Sequence, residues 1–570
     1  MVLLSEIYKT ELKMYIAVTR KKYKDTYHEQ ILLRESYREN GEVKTRTIAN
    51  LTNQPKEQVE AIAAALKNKD EIVVTSKNQK QGKTVGLSLI ILFIMNILGV
   101  LTAIGKTYEA KIALFLIIAR ITIQGSRLQA LHWAKEDKAL DLLQFSKEEE
   151  EKLDNNNKTI YLGLDYMAEN QEKIEDKLFK SYYGNNPPKR VFYDVTSSYV
   201  EGDYSKSELV TYGYNRDGKK SKQQIVIGLL TDENGHAISI HTYKGNTNDV
   251  KTFSDQLDKL KNRFSLENIT IVGDGGMIKS EDIVKIKELG YDYITSIGKP
   301  SIKKLIEDKD SKIEMTLFDE ELQEVIEGDI RYILRQNPTR RDEIRETRTS
   351  KITRLEKFID TTKSNYNTKY GAKQETLENN INKKLSDLKL SKFISVQYTY
   401  NDGTITVTSK GKEEKKTKPM ATIKLEIDEE AKKEIEKLDG CYVITTSLID
   451  TTKDTKEAIH KAYKTLIKVE NAFKTLKTDF LEIRPLYLKT DKRIIGHVAL
   501  SMLAYNITLK LKGYINLAEL DFKSIIRELK IVKTTINTVN TAINFETIAD
   551  VNDRLLKLFK IMNFKLPSRI

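Results

Sequence analysis

The sequence predicts an α/β protein: a mixed sheet flanked by helices, interrupted by a large β-rich and helical insertion and preceded by separate β and helical regions. Three observations predict it. From Lys189 onward, short apolar runs alternate with stretches of helical length and period. Between 301 and 439 the texture changes to alternating runs around a long charged segment. At 570 residues, 39% hydrophobic and 31% charged, the chain is too long for one compact domain and has the apolar material for several cores.

Residues 13–51 alternate in short runs (MYIAVTRK, EQILLRESY, KTRTIANL) split by Asn40-Gly41, which predicts a small antiparallel sheet with a hairpin. Pro55 opens a helix, PKEQVEAIAAALKN. Residues 84–150 read as helical and apolar, and DYMAENQEKIEDKLFKSYY as a helix that ends at Gly184 and Pro187-Pro188. RVFYDVTS is the next strand. QQIVIGLLTD and HAISIHTYK follow it, joined by Asn234-Gly235. Asp249 caps a helix to about Phe264, ENITIVGD is a strand, Ser280 starts another helix, and YDYITSI is a fifth strand.

The order β-β-β-α-β-α-β is that of an RNase H-like sheet. In the insertion, KIEMTLF, DIRYILR, FISVQYTY, TITVTS and ATIKLEI read as strands around a charged helical segment, about 340–392. CYVITTSLI is one more strand, residues 455–477 a helix, and 491–570 mostly helical and basic. The expected domains are 1–52 (β), 53–188 (helical), 189–300 (first part of the core), 301–439 (insertion), 440–490 (second part of the core) and 491–570 (basic C-terminal region).

Composition narrows the class. The formal charge is +13, and residues 451–570 hold 22 Lys+Arg against 12 Asp+Glu, so +10 of it lies in the last fifth. That imbalance favours a polyanionic partner, with a solvated Lys-rich surface as the ordinary alternative. The single cysteine, Cys441, excludes an internal disulfide and a Cys-based zinc site and fits a reducing interior. Leu87–Gly105 has no charge over 19 residues, but Asn96, Gly99 and Gly105 interrupt it. With Ala110–Ala119 it reads as buried helices rather than a membrane anchor, and no signal sequence precedes it.

The stretch ITIVGDGGMIKSEDI places Asp274 at the lip of a buried strand, followed by Gly275 and Gly276. Asp194 lies inside the first core strand. In the expected sheet these two strands are neighbours, so the two acids approach one another. Carboxylates forced together repel unless a proton or a cation is shared, and Mg²⁺ with its preference for hard oxygen donors is the natural answer. Glu470 on the late helix supplies a third. Tyr463, Glu470 and Lys477 are spaced seven and seven, which puts them on one stripe of a continuous helix roughly 10 Å apart. Singly, each acid has an ordinary structural role: strand acid, Asx turn, surface helix residue. The conjunction is what points to chemistry. The six histidines show no zinc spacing, and His236 and His241 read as structural.

With these motifs in view, the chain resembles the DDE transposases of bacterial insertion sequences, in the group marked by Tyr-x2-Arg-x3-Glu-x6-Lys. YKTLIKVENAFKTLK supplies Tyr463, Glu470 and Lys477, YDVTSSY the first Asp, and VGDGGMIKSEDI the second. The signature Arg falls on Leu466, and Lys468 or Lys464 is the candidate replacement. The resemblance implies cut-and-paste transposition in the bacterial cytoplasm at the nucleoid. It also implies two Mg²⁺ ions (Mn²⁺ substituting) held by Asp194, Asp274 and Glu470, with terminal inverted repeats and target DNA as partners, and a homodimer in synapsis. Tyr463 and Lys477 are expected to grip the phosphate backbone, with Arg216, Lys219, Lys220 and Lys222 holding DNA nearby. Two alternatives stand beside this reading: a nuclease of the same fold without strand transfer, and a catalytically inactive domesticated DNA-binding protein.

Overall fold

A computed structural model describes residues 13–23, 26–39, 42–67, 79–216, 218–219, 221–409, 412–479, 481, 486–539 and 543–567. In chain order the strands are β1 (Lys13–Tyr23), β2 (Thr26–Glu39), β3 (Glu42–Asn50), β4 (Gln79–Thr84), β5 (Arg190–Tyr199), β6 (Gln224–Asp232), β7 (Ala237–Lys244), β8 (Thr270–Val272), β9 (Asp292–Ile297), β10 (Gln323–Glu327), β11 (Ile330–Gln336), β12 (Ile394–Ser409), β13 (Lys412–Ile427), β14 (Cys441–Thr446), β15 (Lys533–Val539) and β16 (Ile543–Ile548). The protein is mixed α/β. It forms two compact units, one drawn from Met1–Ile271, Ser280–Tyr291 and Thr465–Ile570, the other from Val272–Lys279 and Asp292–Lys464.

In the first unit, β1, β2 and β3 form the expected antiparallel sheet. It packs on the helix Lys56–Lys67 through Leu33, Leu51 and Val59. The Asn40-Gly41 turn itself lies outside the described residues. The apolar stretch after residue 86 forms helices Gly86–Ile97, Val100–Ile104 and Tyr108–Thr122, and nearly every apolar side chain on them is buried. The helix Asp491–Leu517 runs against Leu162–Tyr183, closely enough that a Cβ on Gly496 would fall 2.0 Å from the carbonyl oxygen of Leu164. Among the described residues, Asp491–Leu517 is the one single helix long and apolar enough to cross a membrane. Of its apolar window, 83% is buried inside the protein, as in a core helix.

The C-terminal region is mostly helical, as expected, in Asp491–Leu517, Phe522–Ile531 and Asp553–Met562, and adds two strands that were not expected. Lys533–Val539 and Ile543–Ile548 form a hairpin that pairs with β4, in the order β16-β15-β4. The alternation in TTINTV and INFETI is strand-like, but the partner lies some 450 residues earlier in the chain, which no local pattern announces.

The remaining sheet of this unit has the order β8-β5-β6-β7. β5, β6 and β7 form an antiparallel meander, and Asp232 to Gly235 make the predicted tight turn, with Gly235 at φ +83. β6 is buried throughout, and the Thr270 N–H donates to the Lys189 carbonyl where β8 begins. Ile240 on the edge strand β7 has its backbone groups satisfied from the helix Leu162–Tyr183: Gln171 donates to its carbonyl (2.6 Å) and Glu175 accepts its N–H (3.2 Å). Capping the edge with side chains removes a template for stray pairing. The helix Asp249–Asn262 is capped by Asn248, not by Asp249 as expected, with the Asn248 side chain accepting from Lys251 N.

In the second unit, β9 is followed across the sheet by β14, β11 and β10, all antiparallel. The run KIEMTLF is not a strand: Met315–Leu317 forms a 3-10 turn, and the partner of β11 is instead β10, reached through Gly328 at φ +60. The charged segment is helical, as expected, and forms two helices, Pro338–Thr368 and Gln374–Asp387. The long β12–β13 hairpin packs on it over a core that includes Leu355, Ile359, Ile381 and Phe393.

Candidate active site

Asp194 sits mid-strand in β5, half-buried, opposite Leu229 of β6, and its Oδ1 accepts the N–H of Val195 at 2.8 Å. β5 is an interior strand, with β6 on one side and β8 on the other. The helix carrying Glu470, Ile467–Lys474, packs against this same strand. Val469, Ala472 and Phe473 bury its inner face, and Glu470 is on the exposed one.

This helix corrects the expected stripe. Residues 455–477 do not form one helix. Lys456–Lys464 ends, a tight turn follows in which Lys468 N bonds Thr465 O and Val469 N bonds Leu466 O, and a new helix begins at Ile467. These i to i+3 bonds change the helical phase. β-Branched Thr465, a weak helix former, marks the break. A π-turn, Thr475–Asp479, changes the phase again before Lys477. The seven-residue spacing therefore does not run along one continuous helix: Tyr463 is on Lys456–Lys464, Glu470 on Ile467–Lys474 and Lys477 in the π-turn. The apolar positions were legible all the same, since Ile459, Ala462, Val469, Phe473 and Leu476 are buried.

Asp274 lies in the second unit, in the turn that follows β8. One carboxylate oxygen, Oδ1, accepts from the N–H of Gly276 (2.9 Å) and of Met277 (2.8 Å), which fixes the side chain in an Asx-type turn. The turn lies on β9: Gly273 N–H donates to the Ile294 carbonyl, and Gly275 lies against the Ser296 carbonyl. Tyr463 reaches the same residue, its hydroxyl donating to Ser296 Oγ at 2.8 Å. Ser296 thus connects the Asp274 turn to Tyr463. Sequence reasoning missed it, because a serine at the end of YDYITSI carries no signal of its own.

The basic candidates separate. Lys468 donates to the Glu233 carbonyl of the β6–β7 turn at 2.7 Å. Leu466 is half-buried at the head of the Glu470 helix. Lys464 lies over the Tyr442 ring, 5.0 Å from its centroid. Lys222 pairs with Glu201 at 2.7 Å. Arg216 lies over the Tyr214 ring at 5.7 Å, and its N–H donates to Ser197 Oγ. Lys219 is exposed, Lys477 half-buried, and Lys220 lies outside the described residues. His236 stacks on Tyr182 (centroids 4.0 Å apart), and burial pushes its pKa down to about 4. His241 is pushed down to about 4 by burial, with Lys259 and Arg263 adding to it.

The carboxylate chemistry suits a hard divalent cation, whereas thiolate and imidazole donors are missing from these positions. Among the described residues, no three or more His, Cys, Asp or Glu side chains are gathered as a metal-holding group.

A family model described as "Transposase DDE domain" matches residues 185–507, more than half of the chain. The chain belongs to the DDE transposases. A second model, for the N-terminal domain of IS1634 family transposases, matches residues 16–79, which include β1 to β3 and the helix Lys56–Lys67. This DDE transposase is therefore one of an insertion sequence, and DNA is its partner. The DDE match spans β5 to β14 and includes Asp194, Asp274 and Glu470. DDE transposases generally work with divalent metal ions. No curated protein matches the chain.

Proposed function

We propose that this transposase moves its element by cut-and-paste: hydrolysis of phosphodiester bonds at the terminal inverted repeats, then transfer of the freed 3′-hydroxyls into target DNA. Asp194, Asp274 and Glu470 are the proposed ligands of two Mg²⁺ ions, for which Mn²⁺ can substitute. One observation carries the reading. Asp194 is in the interior strand β5, Asp274 is two residues beyond β8, the strand next to β5, and the helix bearing Glu470 packs on β5. The order β7-β6-β5-β8 supports an RNase H-like core, in which acids at these three positions meet.

When bound, such ions lower the pKa of an attacking hydroxyl and stabilise the leaving 3′-oxygen. The chain's own groups do the rest. The N–H groups of Gly276 and Met277 hold one oxygen of Asp274, leaving its other oxygen to face outward as a ligand. Tyr463, fixed by Ser296, and Lys477 contact the backbone of the cut strand. The N-terminal region binds the element ends, two copies pair them in synapsis, and the protein acts at the nucleoid in the cytoplasm.

The test is Mg²⁺-dependent cleavage of an element end, followed by joining of a free 3′-OH end to plasmid. Cleavage and joining by the wild-type chain support transposition. Cleavage without joining, under conditions where both ends are supplied, favours the nuclease alternative. Binding with neither reaction favours the domesticated one.

A further inference from the structure

We propose that Arg335, Tyr442, His460 and Lys464 form a binding site for a backbone phosphate of DNA on the second unit, an inference that rests on the transposase reading and adds a contact it does not assign. The four come from two sources that the fold brings together. Arg335 on β11 and Tyr442 on β14 are directly paired neighbours in the sheet, so their side chains stand on one face. His460 and Lys464 are four residues apart on the helix Lys456–Lys464, so they too share a face. The two pairs meet. The Tyr442 hydroxyl lies 2.6 Å from His460 Nε2, the two rings stack at 5.9 Å and 25°, and Lys464 Nζ is 5.0 Å over the Tyr442 ring.

The protonation pattern makes this a set of donors. Burial raises the pKa of Tyr442 against the opposing pull of Arg335, so the phenol keeps its proton and shares a hydrogen bond with His460 Nε2. Burial, then Lys464 and Arg335, lower the pKa of His460, so the ring is neutral and remains a donor. Among the described residues, no carboxylate pairs with Lys464, and Arg335 donates to the Glu320 carbonyl at 2.7 Å and lies within hydrogen-bonding reach of the Tyr442 side chain. Two cations, Arg335 and Lys464, thus flank the Tyr442 ring without a neutralising acid among the described residues. A phosphodiester can accept from both the guanidinium and the ammonium. The helix that carries His460 and Lys464 also carries Tyr463, whose hydroxyl meets Ser296 at the Asp274 turn, so a phosphate held here belongs to the strand being cut.

The experiment uses the full-length chain, a duplex carrying an element end, and two readouts. The first is the salt dependence of duplex binding by wild type and by the double variant Arg335→Ala, Lys464→Ala. Losing one phosphate contact lowers the slope of log affinity against log salt by about 0.9 and weakens binding across sequences. The second reads wild type alone: carbethoxylation of His460, followed by mass spectrometry, slows several-fold with the duplex and not with inorganic phosphate at the same phosphate concentration. An unchanged slope in a folded variant overturns the site, as does a His460 that the duplex leaves unprotected. Equal protection by inorganic phosphate reassigns the site to free anions and overturns the DNA contact. The wild-type arm keeps the two readings apart: wild type that binds no duplex at low salt defeats the transposase reading itself, before any variant is compared.

Discussion

A Cβ built on Gly275 falls 2.1 Å from the carbonyl oxygen of Ser296. The glycine after Asp274 is therefore required by close approach of two backbones. Its own φ is not in the left-handed range, so conformational freedom is not the reason. The turn that presents Asp274 lies flat on the end of β9, and Tyr463 fastens to the same serine. Gly275→Ala must push this turn off β9. The expected cost is about 2 kcal/mol in urea denaturation, as for an overpacked contact, with cleavage reduced by more than that loss of folded protein explains. Wild-type stability together with wild-type cleavage would show that the turn is not held there.

The three carboxylates act as a unit if they share ions. Asp194→Asn, Asp274→Asn and Glu470→Gln each should lower end cleavage by roughly 10⁴-fold, and combining two should cost little more than one. Duplex binding, read by gel shift, stays near wild type. A single variant that cuts at the wild-type rate removes its residue from the set.

Lys468 provides a contrast among the lysines. Its ammonium is held by the Glu233 carbonyl, so Lys468→Met should cost about 1 kcal/mol of stability and leave the salt slope of DNA binding unchanged. A slope that falls by about one would place Lys468 on a phosphate instead.

Stability should depend on pH through two histidines of the first unit. His236 and His241 have folded pKa values near 4, against 6.5 for the free side chain. Between those values the unfolded chain binds more protons than the folded one, so acid favours unfolding. The stabilisation is fully present above about pH 6.5 and is lost as the pH falls toward 4, by roughly 1.4 kcal/mol per pH unit for each ring. Urea midpoints measured at pH 7 and pH 5 check this. His236→Phe, which keeps a ring beside Tyr182, should flatten the slope, and an undiminished slope would show that His236 is protonated in the folded state.

What the sequence revealed was what is locally encoded. Asn234-Gly235 announces its turn because Gly235 takes a positive φ there, and the short apolar runs of β5, β6 and β9 announce their burial. Val469 and Phe473 marked the buried face of the Glu470 helix. The helix break at Thr465 was hidden, since the apolar spacing runs through it almost unchanged and the phase shift comes from hydrogen bonding. The β15–β16 pairing with β4 was hidden for another reason: a strand records its own alternation but not its partner. Ser296 and the Tyr442–His460 pair were hidden because each matters only through a neighbour that folding supplies.

The central claim is that Asp194, Asp274 and Glu470 meet at shared divalent ions. Replacing Mg²⁺ with Fe²⁺ in the DNA-bound protein and adding ascorbate makes the ion cut the polypeptide within a few ångströms of itself. Mass spectrometry of the fragments then reports which segments surround the ion. The account predicts three cuts, in β5 near Asp194, in the turn at Asp274 and in the helix at Glu470, all lost together in Asp194→Asn. Cuts confined to one of these segments, or falling elsewhere in the chain, would contradict it.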